Sequence, residues 1–214
     1  MLTYDLEEAI SALAKADHDL GVFMEVAGPC RIAERAWAQP VEPFEALLRS
    51  IIYQQLSGKA AGTIHGRFVD LFDGAGPSPE ALLVLSEDQL RGCGLSRNKT
   101  LAVKDLAEKT LAEVVPEREA LLTLSDDDVI ARLTEVRGIG PWTVEMLLMF
   151  NLGRPDVLPT TDRGIQKGYQ LVYGTDELPK PKELDAYGEK WRPWRTVASW
   201  YMWEAVHIER GETP

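Results

Sequence analysis

The chain has 214 residues, of which 45% are hydrophobic and 27% charged, and its formal net charge is −11 at pH 7. A chain of this length and composition can bury a full core, in two lobes of one compact globular unit. No apolar run is long enough to span a membrane, and the acidic, helical N-terminus is unlike a signal peptide. The two cysteines, Cys30 and Cys93, are far apart in sequence, and they indicate a reducing compartment such as the cytoplasm, with no disulfide framework, zinc site or iron–sulfur cluster expected.

The negative charge is unevenly distributed along the chain. The segment from Arg91 to Lys109 carries five basic and two acidic residues, whereas acidic residues concentrate in the first 25 positions and from Glu113 to Asp128. Such a polarised surface can bind phosphate on one side and repel it elsewhere. The net charge still predicts modest non-specific affinity for nucleic acid, because each phosphate contact contributes about 0.9 to the log–log salt slope and few contacts are expected.

The first part of the chain reads as a series of helices separated by turn residues. The predicted helices run from Tyr4 to Asp17, from His18 to Val26, from Phe44 to Tyr53 and from Lys59 to Phe72. A turn at Gln54-Gln55-Leu56-Ser57 separates the third helix from the fourth, and Ser57 can cap the fourth. Further helices are predicted from Ser78-Pro79-Glu80, after the capping box Ser86-Glu87-Asp88-Gln89, and around Leu101, Leu106 and Leu111, ending before Pro116.

The most informative stretch runs from Leu133 to Gly164. A helix capped at Ser125 runs into this stretch and is ended by Gly138 and Gly140. Pro141 then occupies the first position of a second, mostly apolar helix, where a missing amide costs nothing. Two helices joined by a glycine turn form a hairpin whose exposed amides can bind a phosphate. Taken alone, the two glycines favour a tight turn that needs them for steric reasons over an anion site.

The remainder of the chain is also helical. Asp162 follows the loop after the hairpin, where it can be an ordinary N-cap before Ile165. The pattern stays helical through Val172, becomes a loop through Pro179 and Pro181, and ends in a helix from about Arg195 to Glu209. No convincing strand or internal repeat is present, so the predicted fold is all-α.

The stretch L-T-E-V-R-G-I-G-P-W-T, followed by D-V-L-P-T-T-D, resembles the helix-hairpin-helix (HhH-GPD) DNA glycosylases, in particular the 3-methyladenine or alkylbase branch. Three further segments match motifs of that family: Phe44–Leu48 with Ile51–Ser57, Gly94-Leu95-Ser96 with Lys99, and Trp191–Arg195 with Trp203. The resemblance extends from about Ile10 to the end of the chain. It implies two helical lobes with a DNA-binding cleft between them and no N-terminal β domain. Residues 1–39 and 152–214 would form one lobe, and residues 40–151 the other, with the hairpin at about 126–151.

The resemblance also implies an active site. Asp162 matches the carboxylate that acts at the glycosidic bond, and Asp156 does not. The pocket for a flipped base would contain Trp142, Trp203 and Met146, although some relatives have an aromatic residue where this chain has Met146. Gln55 and Leu56 would form the wedge that enters the base stack, unless Leu56 is a core residue and Gln55 a polar turn residue.

The hairpin has two implied roles in this family. The residues that would hold a DNA phosphate are Gly138, Ile139, Gly140 and Thr143. The backbone carbonyls of Thr134, Val136 and Ile139 would bind a structural Na⁺ or K⁺, and no cofactor would be required for catalysis.

The implied activity is that of a monofunctional 3-methyladenine glycosylase II type N-glycosyl hydrolase, acting as a monomer on double-stranded DNA that contains alkylated bases. Relatives that also cut the strand carry a lysine two residues after the second hairpin glycine, where this chain has Trp142. Three alternatives stay open: a bifunctional glycosylase/lyase, a non-catalytic helix-hairpin-helix DNA-binding module, and an all-α protein-interaction domain. The sequence does not discriminate among the alkylated bases.

Overall fold

A computed structural model of the protein describes residues 2–34 and 41–212, and within these ranges the chain forms thirteen α-helices and no strand. The helices are α1 (Leu6–Ala16), α2 (His18–Ala27), α3 (Pro43–Tyr53), α4 (Gly58–Val69), α5 (Pro79–Val84), α6 (Glu87–Gly92), α7 (Arg97–Leu111), α8 (Arg118–Leu122), α9 (Asp126–Leu133), α10 (Pro141–Met146), α11 (Arg163–Tyr173), α12 (Pro181–Gly188) and α13 (Arg195–Glu209). The predicted all-α fold is confirmed. None of these helices is long and apolar enough to cross a membrane.

Short polar side chains determine where many of the helices begin. Such a side chain accepts a hydrogen bond from an amide of the first turn that has no partner within the helix. The residues that do so are Asp5, Asp17, Ser57, Ser78, Ser86, Ser96, Ser125 and Asp162. The capping box at Ser86 and Gln89 is complete, as predicted.

The chain divides into two compact units. The terminal unit combines the chain up to residue 40 with the chain from residue 148 onward, and the central unit runs from Val41 to Leu147. The boundary predicted between residues 39 and 40 lies outside the described residues. The helix that follows the hairpin contributes to both units, because α10 continues as a π-helical segment from Leu147 to Asn151.

Helices α11 and α13 form the main pair of the terminal unit. Gly168 allows them to approach closely, since a Cβ atom there would lie 1.9 Å from the carbonyl oxygen of Met202. In the central unit, α7 packs against both α3 and α5 and buries Val103 and Leu106.

Asp17 is an ionisable group in the interior of the terminal unit, only 3% exposed. Its carboxylate accepts hydrogen bonds from the Tyr173 hydroxyl at 2.7 Å and the Trp191 indole at 2.8 Å, and it pairs with the Lys190 ammonium at 3.1 Å. Burial alone would raise the pKa of Asp17, but these bonds outweigh burial and hold the pKa below its usual value. The carboxylate therefore joins the start of α2 to α11 and to the segment before α13.

Two helices differ from the sequence prediction. The loop predicted through Pro181 is wrong, because Pro181 is the first residue of α12, and the side chain of Glu183 accepts a bond from the Lys180 amide. Proline at this position has no intrahelical bond to lose, so it begins a helix here. The short helix α8 was also not predicted, since its five residues are too few to show a period.

Candidate active site

Asp162 is held in a defined orientation at the N-terminus of α11. Its Oδ1 accepts the Ile165 amide at 2.9 Å and the Trp203 indole Nε1–H at 3.1 Å. The first bond is an N-cap, as the plain interpretation of this residue predicted. The second bond comes from a side chain 41 residues away, and N-capping does not require it. The carboxylate stays partly exposed, so it combines a fixed geometry with access to solvent.

A glycine makes room for this pair. A Cβ atom at Gly164 would lie 2.9 Å from Cδ1 of Trp203 and 3.0 Å from Oδ1 of Asp162. A Cβ atom cannot lie so close to these two atoms unless one of the side chains moves. Alanine at this position would therefore displace Trp203 or Asp162. The same indole stacks on Phe150, with ring centroids 5.9 Å apart.

Asp156, the other aspartate of this loop, is in a different environment. Arg195 binds it with Nε at 2.6 Å from Oδ1 and Nη2 at 3.1 Å from Oδ2, and Arg192 binds Oδ2 as well. This fork of two guanidinium groups occupies both carboxylate oxygens. Arg192 and Arg195 belong to the C-terminal motif, so the motif ties its own segment to the loop.

The other tryptophans that the structure describes divide into two groups. Trp191 and Trp200 are buried in the core, and Trp194 is half-buried against Tyr4. Trp142 is 43% exposed at the start of α10, so it is not a core residue. Met146, one turn further along, is buried.

The hairpin turn has the backbone that its glycines suggest. Gly138 is left-handed, with φ +79°, and Gly140 is extended and precedes Pro141 at the start of α10. Ile139 between them is buried, and its amide donates to the Val136 carbonyl at 3.0 Å. Thr143, in the first turn of α10, is buried.

The turn between α3 and α4 presents two side chains to solvent. Gln55 is exposed and Leu56 is 40% exposed, so the core interpretation of Leu56 is wrong. Gln55 has φ +58° although it is not glycine. Leu56 N–H donates to the Tyr53 carbonyl at 3.3 Å and closes the turn.

Two lysines of α7 bind carbonyl groups at the ends of neighbouring helices. Lys99 Nζ donates to the carbonyls of Ile52 and Gln54, each at 2.7 Å, and burial lowers the pKa of Lys99. Lys104 likewise donates to the Leu85 carbonyl at 2.7 Å. Both lysines belong to the basic run from Arg91 to Lys109, but their ammonium groups bind the ends of α3 and α5.

Comparison with known proteins places this geometry in a family. Residues 48–193 match the model of the HhH-GPD superfamily base excision DNA repair proteins. Over 168 residues the chain is 39% identical to DNA-3-methyladenine glycosylase 1 of Schizosaccharomyces pombe, covering 78% of this chain and 74% of that protein. The chain belongs to the HhH-GPD superfamily.

Solved structures agree with this assignment. The 3-methyladenine DNA glycosylase of S. pombe in complex with abasic DNA superposes with a TM-score of 0.80 at 35% identity, covering 92% of this chain and 95% of that chain. A DNA-3-methyladenine glycosidase from Bacillus halodurans superposes with a TM-score of 0.84 at 36% identity, covering 95% of this chain and 91% of that chain. Both comparisons span nearly the whole HhH-GPD fold of each protein.

Several contacts of this HhH-GPD chain were not predicted from its motifs. The bond between Trp203 and Asp162 joins two residues that the motifs identify separately. Gly164 carries a signal in the sequence, because a glycine two residues into a capped helix is unfavourable unless a side chain needs the space. The bonds of Lys99 reach 45 and 47 residues along the chain, and neither carbonyl partner has a side-chain signature.

Proposed function

We propose that this protein is a monofunctional DNA glycosylase that removes alkylated bases of the 3-methyladenine and 7-methylguanine type from double-stranded DNA by hydrolysis. The relatives named as 3-methyladenine glycosylases and the fold they share support the substrate class. The observation that carries the chemistry is the carboxylate of Asp162, oriented by two N–H donors and still accessible.

Asp162 would act on the sugar rather than on the base. Alkylation of a purine ring nitrogen gives the base a positive charge and makes it a good leaving group, so no strong general acid is needed. As the glycosidic bond breaks, the sugar gains positive charge, and a carboxylate at 4 Å contributes about 4 kcal/mol at an effective dielectric constant of 20. The same carboxylate can orient the attacking water or accept its proton. Asp156 is unsuited to this role because its oxygens are bound by two arginines.

The flipped base would be recognised by aromatic surface. The exposed indole of Trp142 and the partly exposed indole of Trp203, together with Met146, are the residues proposed to line its pocket. A cationic base over a tryptophan face gains about 0.5–2 kcal/mol, and a neutral base gains less. This difference would favour damaged bases over normal ones.

The hairpin would hold the DNA backbone. Its left-handed Gly138 and extended Gly140 leave a turn with little side-chain bulk before the N-terminus of α10, where amides favour an anion. The phosphate-binding set proposed is Gly138, Ile139, Gly140 and Thr143. Contacts of this kind position a duplex without reading its sequence.

A monovalent cation would complete the hairpin without taking part in the chemistry. The carbonyl oxygens of Thr134, Val136 and Ile139 are neutral, hard donors of the kind that Na⁺ and K⁺ prefer. The Val136 carbonyl accepts one amide, and a carbonyl oxygen has a second lone pair for an ion. When bound, the ion would attract a DNA phosphate to the turn. No other cofactor is proposed.

Gln55 and Leu56 would fill the space that the flipped nucleotide leaves. Both side chains are exposed on a tight turn between two helices, which is the geometry a wedge needs. Flipping costs a few kcal/mol, and a side chain in the vacated position offsets part of that cost.

The proposed absence of strand cleavage is supported by the positions of the lysines. Trp142 stands where strand-cleaving relatives have a nucleophilic lysine, and an indole nitrogen does not form a Schiff base. Lys167, near Asp162 in sequence, pairs with Glu209 at 3.2 Å and with the amide oxygen of Gln170.

The protein would act as a monomer on DNA in the cytoplasm. In a bacterial cell this DNA would be the nucleoid.

One assay tests the whole proposal. A labelled duplex containing 3-methyladenine or 7-methylguanine is incubated with the protein, and the products are separated with and without alkali. We expect strand breaks only after alkali, and no covalent protein–DNA adduct when borohydride is present during turnover. A trapped adduct would show a lyase and point to Lys167 or the terminal amine. Binding without base release would leave a non-catalytic DNA-binding module.

A further inference from the structure

Gln55 has a backbone conformation that needs support from its surroundings. Gln54 has φ −51° and ψ 131°, Gln55 has φ +58°, and the Leu56 amide bonds to the Tyr53 carbonyl. These values describe a type II turn, in which the third position is normally glycine. A residue with a side chain stays there only when neighbouring groups hold it. The turn that would carry the wedge is therefore set by contacts outside itself.

Lys99 supplies the nearest of these contacts. Its ammonium donates to the carbonyls of Ile52 and Gln54 at 2.7 Å each, in the last turn of α3 and immediately before Gln55. Both bonds are charge-assisted and the lysine is half-buried, so they are stronger than ordinary surface bonds. Lys99 therefore holds in place the backbone segment that immediately precedes the left-handed Gln55.

A second set of contacts joins the same turn to the hairpin. The Gln54 side chain donates from Nε2 to the Gly138 carbonyl at 3.0 Å. Beneath Gly138 lies Ala102, whose Cβ is 3.4 Å from the place of a Cβ at that glycine, and Asp105 accepts the Arg137 amide at 2.7 Å. Lys99, Ala102 and Asp105 follow at three-residue intervals on one face of α7. That face supports both turns.

We infer that Lys99 is a positioning residue for DNA opening: it holds the Gln55–Leu56 turn in its intercalating conformation, at a fixed distance from the phosphate-binding hairpin, before DNA arrives. This inference rests on the proposed function. A preformed wedge avoids the entropy cost of ordering a flexible turn while the stack is being opened. Lys99 then matters only when stacked DNA has to be opened.

The chain contains a matched control. Lys104 lies on the same helix and donates to the carbonyls of Leu85 and Leu83, at 2.7 and 3.4 Å, at the end of α5. Lys104→Met removes the same kind of helix-end cap as Lys99→Met, at a place that carries no wedge. Lys104→Met therefore reports the effect of lost stability alone, whereas Lys99→Met reports lost stability together with any change in the position of the wedge.

The test compares single-turnover base release from two substrates, for the wild-type protein and for Lys99→Met, Lys99→Arg, Gln55→Ala and Lys104→Met. In one substrate the alkylated base is paired in a duplex, and in the other it lies in a bulge without an opposing nucleotide. We expect Lys99→Met to reduce the duplex-to-bulge rate ratio about tenfold, which corresponds to a barrier of about 1.4 kcal/mol. Gln55→Ala should reduce the ratio similarly, Lys99→Arg should restore part of it, and Lys104→Met should leave it unchanged.

Each result decides between named possibilities. If the wild-type protein releases no alkylated base from either substrate, the proposed function fails. If Gln55→Ala lowers the ratio but Lys99→Met does not, the wedge stands and the role of Lys99 is wrong. If Lys99→Met and Lys104→Met reduce melting temperature equally and neither changes the ratio, both lysines serve stability alone and the inference is overturned.

Discussion

Two aspartates of the terminal unit share two kinds of contact but lie in different surroundings. Asp17 and Asp162 each cap a helix, and each accepts a tryptophan N–H, from Trp191 and Trp203 respectively. Asp17 is almost fully buried and also receives a tyrosine hydroxyl and an ammonium, whereas Asp162 is partly exposed. A carboxylate that is buried and paired stabilises the fold. A carboxylate that is oriented but accessible is suited to react.

The largest expected effect comes from Asp162→Asn. We expect single-turnover base release to fall about a thousandfold, because a carboxylate beside a developing cation contributes about 4 kcal/mol. Asparagine caps a helix as well as aspartate does, so the melting temperature and binding to abasic DNA should change little. Near wild-type release by this variant would remove Asp162 from the chemistry, and Asp156→Asn would be examined next.

Asp17→Asn should have the opposite profile. It removes the charge from a buried, paired group, and we expect it to destabilise the protein by about 3 kcal/mol. Thermal unfolding measures this loss, and base release below the lowered melting temperature should be retained. Asp5→Asn is the control, because Asp5 caps α1 at an exposed position with a single bond to the Glu8 amide. Equal losses for the two variants would show that the burial of Asp17 and its pairing with Tyr173, Trp191 and Lys190 add nothing to stability.

Gly164→Ala tests whether the indole bond orients Asp162. The added methyl must displace Trp203 or the carboxylate, so we expect base release to fall about tenfold while the helix itself gains up to about 1 kcal/mol from alanine. Gly66→Ala is the matched control, since a Cβ there meets nothing within 4 Å on α4. An unchanged rate for Gly164→Ala would mean that Trp203 can shift without affecting the carboxylate.

The smallest effect concerns pH. The folded-state pKa of Asp17 lies below its unfolded value of 3.8, so its ionisation stabilises the fold above that pH and the contribution is lost as pH falls through the folded pKa. The difference in unfolding free energy between wild type and Asp17→Asn, measured in urea, should be constant from pH 7 to pH 5 and narrow below about pH 4. A difference that widens in acid would contradict the direction of the shift.

The comparison also shows which features can be predicted from sequence. Caps at Ser57, Ser86 and Ser125 were predicted because capping depends on residues three positions apart. The last helix was predicted at its observed limits, Arg195–Glu209, from its apolar pattern. The motif distinguished Asp162 from Asp156, and the structure adds the physical difference between them, the two arginines on Asp156.

Contacts between residues far apart in the chain leave no local sequence pattern from which they could be predicted. Lys99 matches a family motif, but its bonds were not predicted, because a lysine that binds carbonyls and one that faces solvent have the same sequence signature. The bond of Trp203 to Asp162 depends on how α13 packs on α11, and that packing depends on Gly164 and Gly168. The exposure of Leu56 depends on one left-handed residue, Gln55, which composition does not reveal.

The discontinuity of the terminal unit has a consequence for synthesis on the ribosome. Helices α1 and α2 precede the central unit in the chain, but their packing partners α11 and α13 follow it. The central unit is contiguous in sequence and can fold while translation continues. Asp162 and Trp203 both follow the central unit in sequence, so the two turns proposed to contact DNA can form before the carboxylate proposed to act at the glycosidic bond is in place.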